Sequence, residues 1–218
     1  MDTNISEYRN PARRAIHATA AIAVSCFALL ALTATDARAE PRKFVIDPTH
    51  LSIGFLVDHA GFAKVLGMFR KATGEVTYDE ETKTLSTVKV VIDTESVYTN
   101  HKKRDEHMRS PDFLNAGEFP EMVFTLTGSK ASGENSGTIT GDLDMLGQKR
   151  PVTLDVTLNK AAEYPFGGGA FSSKPYAIGV SARGSFKRSD YGMTYGVEQG
   201  WVGDEVELII EFEAVRQE

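Results

Sequence analysis

The sequence predicts an all-β domain, an antiparallel barrel or sandwich, on three observations. Apolar and polar residues alternate with a period of two from Lys43 onward. Turn-forming clusters separate the alternating runs at short intervals, with no crossover helices between them. Only one stretch, Asn100 to Leu114, departs from the pattern and reads as a helical insertion. The chain has 218 residues. Without a 39-residue leader, what remains is one domain's worth of chain, with nothing to suggest a linker, repeat or second domain. A chain of that size buries roughly 70% of its unfolded surface, enough for a core without disulfides or metals.

Taken in order, residues 1–39 read as an export signal. Arg13 and Arg14 supply the basic start, Ala15 to Leu32 form an apolar run, and Ala37-Arg38-Ala39 gives a small-x-small cleavage pattern before Glu40. An uncleaved anchor is the alternative, since the apolar run approaches the lower limit for a spanning helix. The twin arginines hint at export of a folded chain, although Ala15-Ile16-His17 fits that motif poorly. The first strand candidate carries Leu51, Ile53, Phe55 and Val57 on one face, and a second lies near Gly67–Tyr78. Val88, Val90 and Ile92 follow, then the helical insertion with Asn100 as its expected N-cap. Met122, Phe124 and Leu126 continue the pattern, as do Ile139, Gly141, Leu143 and Met145. Val152 to Leu158 alternate with Thr153, Asp155 and Thr157, and Ile178, Val180 and Ala182 with Gly179, Ser181 and Arg183. The last run is the clearest: Val206, Leu208, Ile210, Phe212 and Ala214 on one face, and Glu205, Glu207, Ile209, Glu211 and Glu213 on the other. Turns are expected at Asp79-Glu80-Glu81, Ser132 to Asn135, Gly147-Gln148-Lys149 and Gly167-Gly168-Gly169. The count is eight or nine strands.

Charge and cysteine usage narrow the function. The whole chain carries a net charge of −6, and loss of the leader, with four basic and three acidic residues, makes it −7. A nucleic-acid binder needs a basic footprint, which this balance lacks; it speaks equally against anionic membrane surfaces. Cys26 is the only cysteine and sits inside the leader, where it reads as a small apolar residue rather than a lipidation site. Processing would leave no cysteine at all, which suits a periplasm and removes disulfides, thiol catalysis and cysteine metal sites together. No integral membrane segment would survive processing.

The insertion, Ser96 to Phe113, is where chemistry is sought. On a helix, His101, Arg104, Asp105 and Met108 share one face, while Lys102, Lys103, Glu106 and Arg109 point to solvent. Three polar or charged groups turned toward a barrel need partners. They form either a satisfied polar network across the barrel end, an anion or headgroup site at Arg104, or an acid–base pair of His101 and Asp105. His101 and His107, six apart, fall on different sides of the helix; no HExxH pattern exists, and no metal site or cofactor is expected. No G-x-S-x-G elbow marks a serine nucleophile. Trp201 reads as a core residue or barrel-end plug.

These residues carry a resemblance. Phe44-Val45-Ile46-Asp47, His50 to Phe55, His59-Ala60-Gly61 and Val65-Leu66-Gly67-Met68-Phe69 are similar to blocks of the YceI-like family of lipid and polyisoprenoid-binding proteins. The most specific block runs from Ser96 to Phe119, with Thr99-Asn100, Arg104-Asp105-x-His107 and Ser110-x-Asp112-Phe113-Leu114. Gly141-Asp142-Leu143, Leu146-Gly147, Pro151-Val152-Thr153-Leu154 and Arg188-Ser189-Asp190-Tyr191-Gly192 complete it; the departures are Ala60 and Asp144. The resemblance implies an extended eight-stranded lipocalin-like antiparallel barrel over residues 40–218, with an apolar interior holding a long isoprenoid chain. The expected cavity residues are Ile53, Phe55, Val57, Val90, Ile92, Phe124, Leu126, Leu143, Met145, Val180, Leu208 and Ile210, with His101, Arg104 and Asp105 as a headgroup or polar barrel-end network. Alternation alone leaves open whether the barrel is hollow. The leading expectation is a periplasmic carrier of a quinone or polyprenyl lipid. The others are an enzyme acting on an isoprenoid headgroup through His101, Arg104 and Asp105, and a solid β-domain for protein contacts. A homodimer is compatible with all three.

Overall fold

The computed structural model describes residues 40–167 and 173–218. The expected leader with Cys26, and Gly168 and Gly169 of the expected glycine turn, lie outside the described residues. Among the described residues, ten strands, β1 (Arg42–His59), β2 (Ala63–Phe69), β3 (Ala72–Asp79), β4 (Thr84–Asp93), β5 (Val97–Tyr98), β6 (Glu121–Ala131), β7 (Ser136–Met145), β8 (Gln148–Glu163), β9 (Tyr176–Lys187) and β10 (Val202–Arg216), accompany one α-helix, α1 (Lys102–Arg109).

Hydrogen-bond register reduces the ten strands to eight staves. Arg42–Val45 of β1 face Tyr78–Glu75 of β3, and Ile53–His59 face Phe69–Ala63 of β2. β2 and β3 are therefore one stave, broken at Arg70-Lys71. β4 lies against β3 and β5 against β2, so they form a second interrupted stave, broken by the 3-10 turn Thr94–Ser96. The ring continues through β6, β7, β8, β9 and β10, and closes where β10 pairs antiparallel with β1 from Phe44↔Arg216 to His59↔Val202. This is the closed eight-stranded antiparallel barrel implied by the family resemblance, and it settles the choice between barrel and sandwich that the alternating pattern left open. One ladder is short: β4 and β6 pair only over Lys89–Asp93 and Thr125–Glu121.

The side-chain parity follows the sequence. Ile53, Phe55, Val88, Ile92, Met122, Phe124, Ile139, Leu143, Met145, Val152, Leu154, Ile178, Ala182 and Val206 are all buried on the inner face. Two inner glycines make room for aromatic rings. A Cβ at Gly67 would stand 2.2 Å from the Phe55 ring, and one at Gly141 2.3 Å from the Phe124 ring. β1 departs from its ladder between Ile46 and Leu51, where Pro48 has no N–H to donate. Asp47 holds that bulge, accepting from Thr49 N at 2.8 Å and Thr49 Oγ1 at 2.7 Å, with His50 Nδ1 at 2.7 Å.

Three local expectations are corrected. The strand near Gly67–Tyr78 is two strands, for the reason given by the β1 register. The helix is capped by His101, not Asn100. His101 has the extended backbone an N-cap needs, and its Nδ1 accepts from Arg104 N at 3.3 Å; Asn100 is left-handed (φ 61°), and its Oδ1 accepts from Tyr98 Oη instead. The helix also stops at Arg109 rather than running to Leu114, because Pro111 drives Ser110 out of the helical region (ψ 169°).

Candidate ligand cavity

The inner faces enclose a cavity of about 540 Å³ that reaches from α1 at one end of the barrel to the β6–β7 hairpin at the other. That volume lies within the ordinary range of small-molecule sites, roughly 300–1,000 Å³. Every stave contributes apolar side chains, because alternation places every second residue on the wall. Of the residues expected there, Ile53, Phe55, Val57, Val90, Ile92, Phe124, Leu143, Met145, Val180, Leu208 and Ile210 line the cavity. Leu126 does not: it packs against the core just before the irregularity in β6 at Thr127.

At the helix end the wall turns polar. Thr99, buried beside α1, is clamped from both sides. Asp105 accepts from Thr99 N at 2.7 Å and from Thr99 Oγ1 at 2.5 Å through one oxygen. Arg104 Nε donates to Thr99 Oγ1 at 2.8 Å, and its Nη2 to Thr99 O at 2.6 Å. Arg104 and Asp105 thus act on one residue as a polar network, with Arg104 on the cavity wall. His101 does not join them. As the cap it sits at the solvent-exposed start of α1, and among the described residues no hydrogen bond joins its side chain to that of Asp105. Arg109, expected in solvent, instead reaches the Glu95 carboxylate at 3.5 Å and the Val97 carbonyl at 3.4 Å.

His107 was missed as a cavity residue. Its ring stands edge-on to Phe113 and Tyr195, each at 4.9 Å between centroids, and its Nε2 lies 2.8 Å from Asp112 Oδ2. The available signal was His107-x-x-x-x-x-Phe113, a histidine six residues ahead of an apolar pair that must pack. Trp201 is on the cavity mouth but 57% exposed, so it does not plug the barrel. It is held by its backbone, its carbonyl accepting from Ala60 N at 3.1 Å.

The mouth is anchored by Arg188, only 1% exposed. Its Nε donates to Gly203 O (2.7 Å), Nη1 to Met193 O (2.9 Å), and Nη2 to Tyr195 O (2.7 Å) and Val202 O (2.9 Å). The guanidinium also faces the Phe113 ring at 5.7 Å. Burial lowers the Arg188 pKa from its ordinary value, opposed by the field of Asp204. The Asp204 carboxylate itself is taken by Ser189 N and Oγ. Nearby, burial drives the Tyr191 phenol up to about 12, and its hydroxyl has no hydrogen-bond partner. Among the described residues, no group of histidine, cysteine and carboxylate side chains is arranged to hold a metal ion. No described helix is long and apolar enough to cross a membrane.

A closed eight-stave barrel with an apolar bore and a polar, helix-capped mouth defines a lipocalin-like class of protein. The chain belongs to the YceI-like domain family, whose model matches residues 44–214. Among curated relatives, the UPF0312 protein YE1254 of Yersinia enterocolitica is 38% identical over 187 residues, covering 86% of this chain and 92% of that protein. Among solved structures, the Campylobacter jejuni YceI protein is 27% identical with a TM-score of 0.65, covering 74% of this chain and 90% of that one. A domain from Saccharophagus degradans described as polyisoprenoid-binding shares the fold at 16% identity and a TM-score of 0.56, covering 80% of this chain and 98% of that one.

Proposed function

We propose that the protein is an exported, periplasmic carrier of an amphipathic isoprenoid, a quinone or polyprenyl lipid, without bond-making chemistry of its own. The observation that carries this reading is the continuous apolar bore ending at a polar mouth. An apolar prenyl tail gains about 0.8 kcal/mol for each methylene it buries there. Its headgroup would meet Arg104, which keeps N–H groups beyond the two it gives to Thr99, and the ring of His107 on the same wall. The polyisoprenoid-binding description of the Saccharophagus degradans domain supports the ligand class.

The test is native mass spectrometry of protein exported to the periplasm. The wild-type protein should match residues 40–218, without acylation, and carry a lipid extractable only with organic solvent. Leu143→Trp, which fills the bore from β7, should lose the lipid and keep the β-rich fold. A wild-type protein that is empty, and stays empty when offered quinones and polyprenyl lipids, would overturn the carrier reading.

A further inference from the structure

The ladders of the barrel wall are interrupted at the β1 bulge and, over a longer stretch, between β4 and β6. Between β4 and β6 the ladder ends at Lys89↔Thr125, yet β4 runs on to Thr84 and β6 to Ala131. Continued in register, Thr87 would face Thr127 and Leu85 would face Ser129. Among the described residues no hydrogen bond joins these two stretches. The cause is local. At Thr127 the β6–β7 register slips between Leu126↔Gly141 and Gly128↔Thr140, which bends β6. The slip also reverses parity, so that Ser129, opposite Ile139, and Ala131 take the inward places held by Phe124 and Leu126 upstream. The cavity reaches this gap: Lys83, Leu85, Ser129, Lys130 and Ala131 are part of its wall.

We propose that this open seam is a side port through which the tail of a long isoprenoid enters and leaves the barrel. The inference rests on the carrier reading and adds the route. Three features favour a lipid chain over an added β-strand. The inner lips of the seam are the apolar Leu85 and the small Ser129 and Ala131. The edges carry Lys89 and Lys130 beside a bulge, which are features that discourage strand pairing. The exposed backbone of Thr84, Ser86, Thr87 and Gly128 stays hydrated, so the seam can stand open without stranding buried polar groups. A long tail can then be laid in sideways with its headgroup at the helix end, instead of being threaded along the full bore.

The test is a removable staple across the seam. Thr87→Cys and Thr127→Cys are combined with Cys26→Ser, which removes the one native cysteine, and joined by a reductively cleavable bismaleimide. Stapled protein should bind an octaprenyl-tailed quinone at least about tenfold more slowly, with the rate restored on cleavage, because closing an access route acts on the binding rate. A geranyl-tailed quinone, short enough to enter by the helix-end mouth, should bind at an unchanged rate. Unchanged octaprenyl kinetics, or equal slowing of both quinones, would overturn the port and return the bare edges to strand pairing. A second measurement uses the unstapled protein and an octaprenyl quinone with a diazirine at the end of its tail. Labels should fall on Thr84–Thr87 and Ser129–Ala131; labels confined to the helix end would overturn the port. If neither quinone binds the unstapled protein, the carrier reading falls with the port, whereas geranyl binding with unslowed octaprenyl binding removes the port alone.

Discussion

Arg188 spends four N–H donors on four carbonyl oxygens of the segment Met193–Gly203. Removing it strands those acceptors, each costing about 1–3 kcal/mol if it stays buried and dry. Arg188→Ala should therefore destabilise by at least about 3 kcal/mol in urea titration. Arg188→Lys should recover only part of this, because an ammonium lacks the fork that spans four acceptors. Asp105 works by the same logic on a smaller scale. Asp105→Ala leaves the Thr99 amide and hydroxyl without their acceptor and should cost about 1–3 kcal/mol, whereas exposed Lys102→Ala should change stability by at most about 0.5 kcal/mol. Equal denaturation midpoints for the two would show that the Thr99 clamp contributes nothing. At the β1 bulge, Asp47 is held down to about 2 by His50 and Thr49, and His50 is raised by Asp47 and then by Glu213. The Asp47 contribution is lost as pH falls through its ordinary value of 3.8 toward 2, and the His50 contribution as pH rises from 6.5 through its raised value. The tie is thus complete between about pH 4 and 6.5. In an NMR titration, Asp47→Asn should lower the His50 pKa without returning it fully to 6.5, since Glu213 stays in place.

At the scale of elements, what could be read depended on whether the signal was local. Strand parity is local: a period of two decides which side chains face in, and eleven of the twelve expected cavity residues line the bore. The exception, Leu126, lies beside a register slip that no local pattern announced. Partnership across the barrel is not local. Thr99 as the hub of Asp105 and Arg104 depends on how α1 docks, and the Arg188 acceptors lie as far as fifteen residues away on a folded loop. The Asn100 cap failed for a related reason: Asn is favoured both at caps and in left-handed turns, and the chain reversal before α1 uses the second property. The glycines opposite aromatic rings give an element-scale prediction. Gly141→Ala would place a methyl group 2.3 Å from Phe124 and 2.7 Å from the Thr125 carbonyl, a backbone atom that cannot step aside. It should cost about 1–3 kcal/mol in thermal or urea unfolding. At Gly67 the three atoms nearest the added methyl all belong to the Phe55 ring, which can swing into the bore, so the larger effect of Gly67→Ala should be on ligand occupancy in native mass spectra.

For the molecule as a whole, an apolar bore without cargo is a site whose occupancy sets stability. A ligand at about a hundred times its dissociation constant adds about 2.7 kcal/mol to the folded state. In a domain of this size that corresponds to a rise of roughly 5–10 °C in midpoint. Delipidated protein should show that rise on addition of a prenyl quinone, followed by the fluorescence of Trp201 at the mouth. No rise at saturating quinone would mean that the bore does not select for prenyl chains.

Closure of the ring by β1 against β10 has a consequence for the order of folding. The first described strand pairs on one side with β2 and β3 but takes its other partner from the last strand, so the closing ladder joins the most distant parts of the domain. Contacts of such sequence separation form slowly, and none of them can begin before the C-terminus has been synthesised. A nascent chain therefore cannot close the ring until the last strand has been synthesised. The same wiring makes the last strand indispensable: a chain ending before Val202 leaves β1 and β9 each with a bare edge. Such a truncation should accumulate as aggregate, and supplying Val202–Arg216 as a separate peptide should return soluble barrel in proportion to the peptide added.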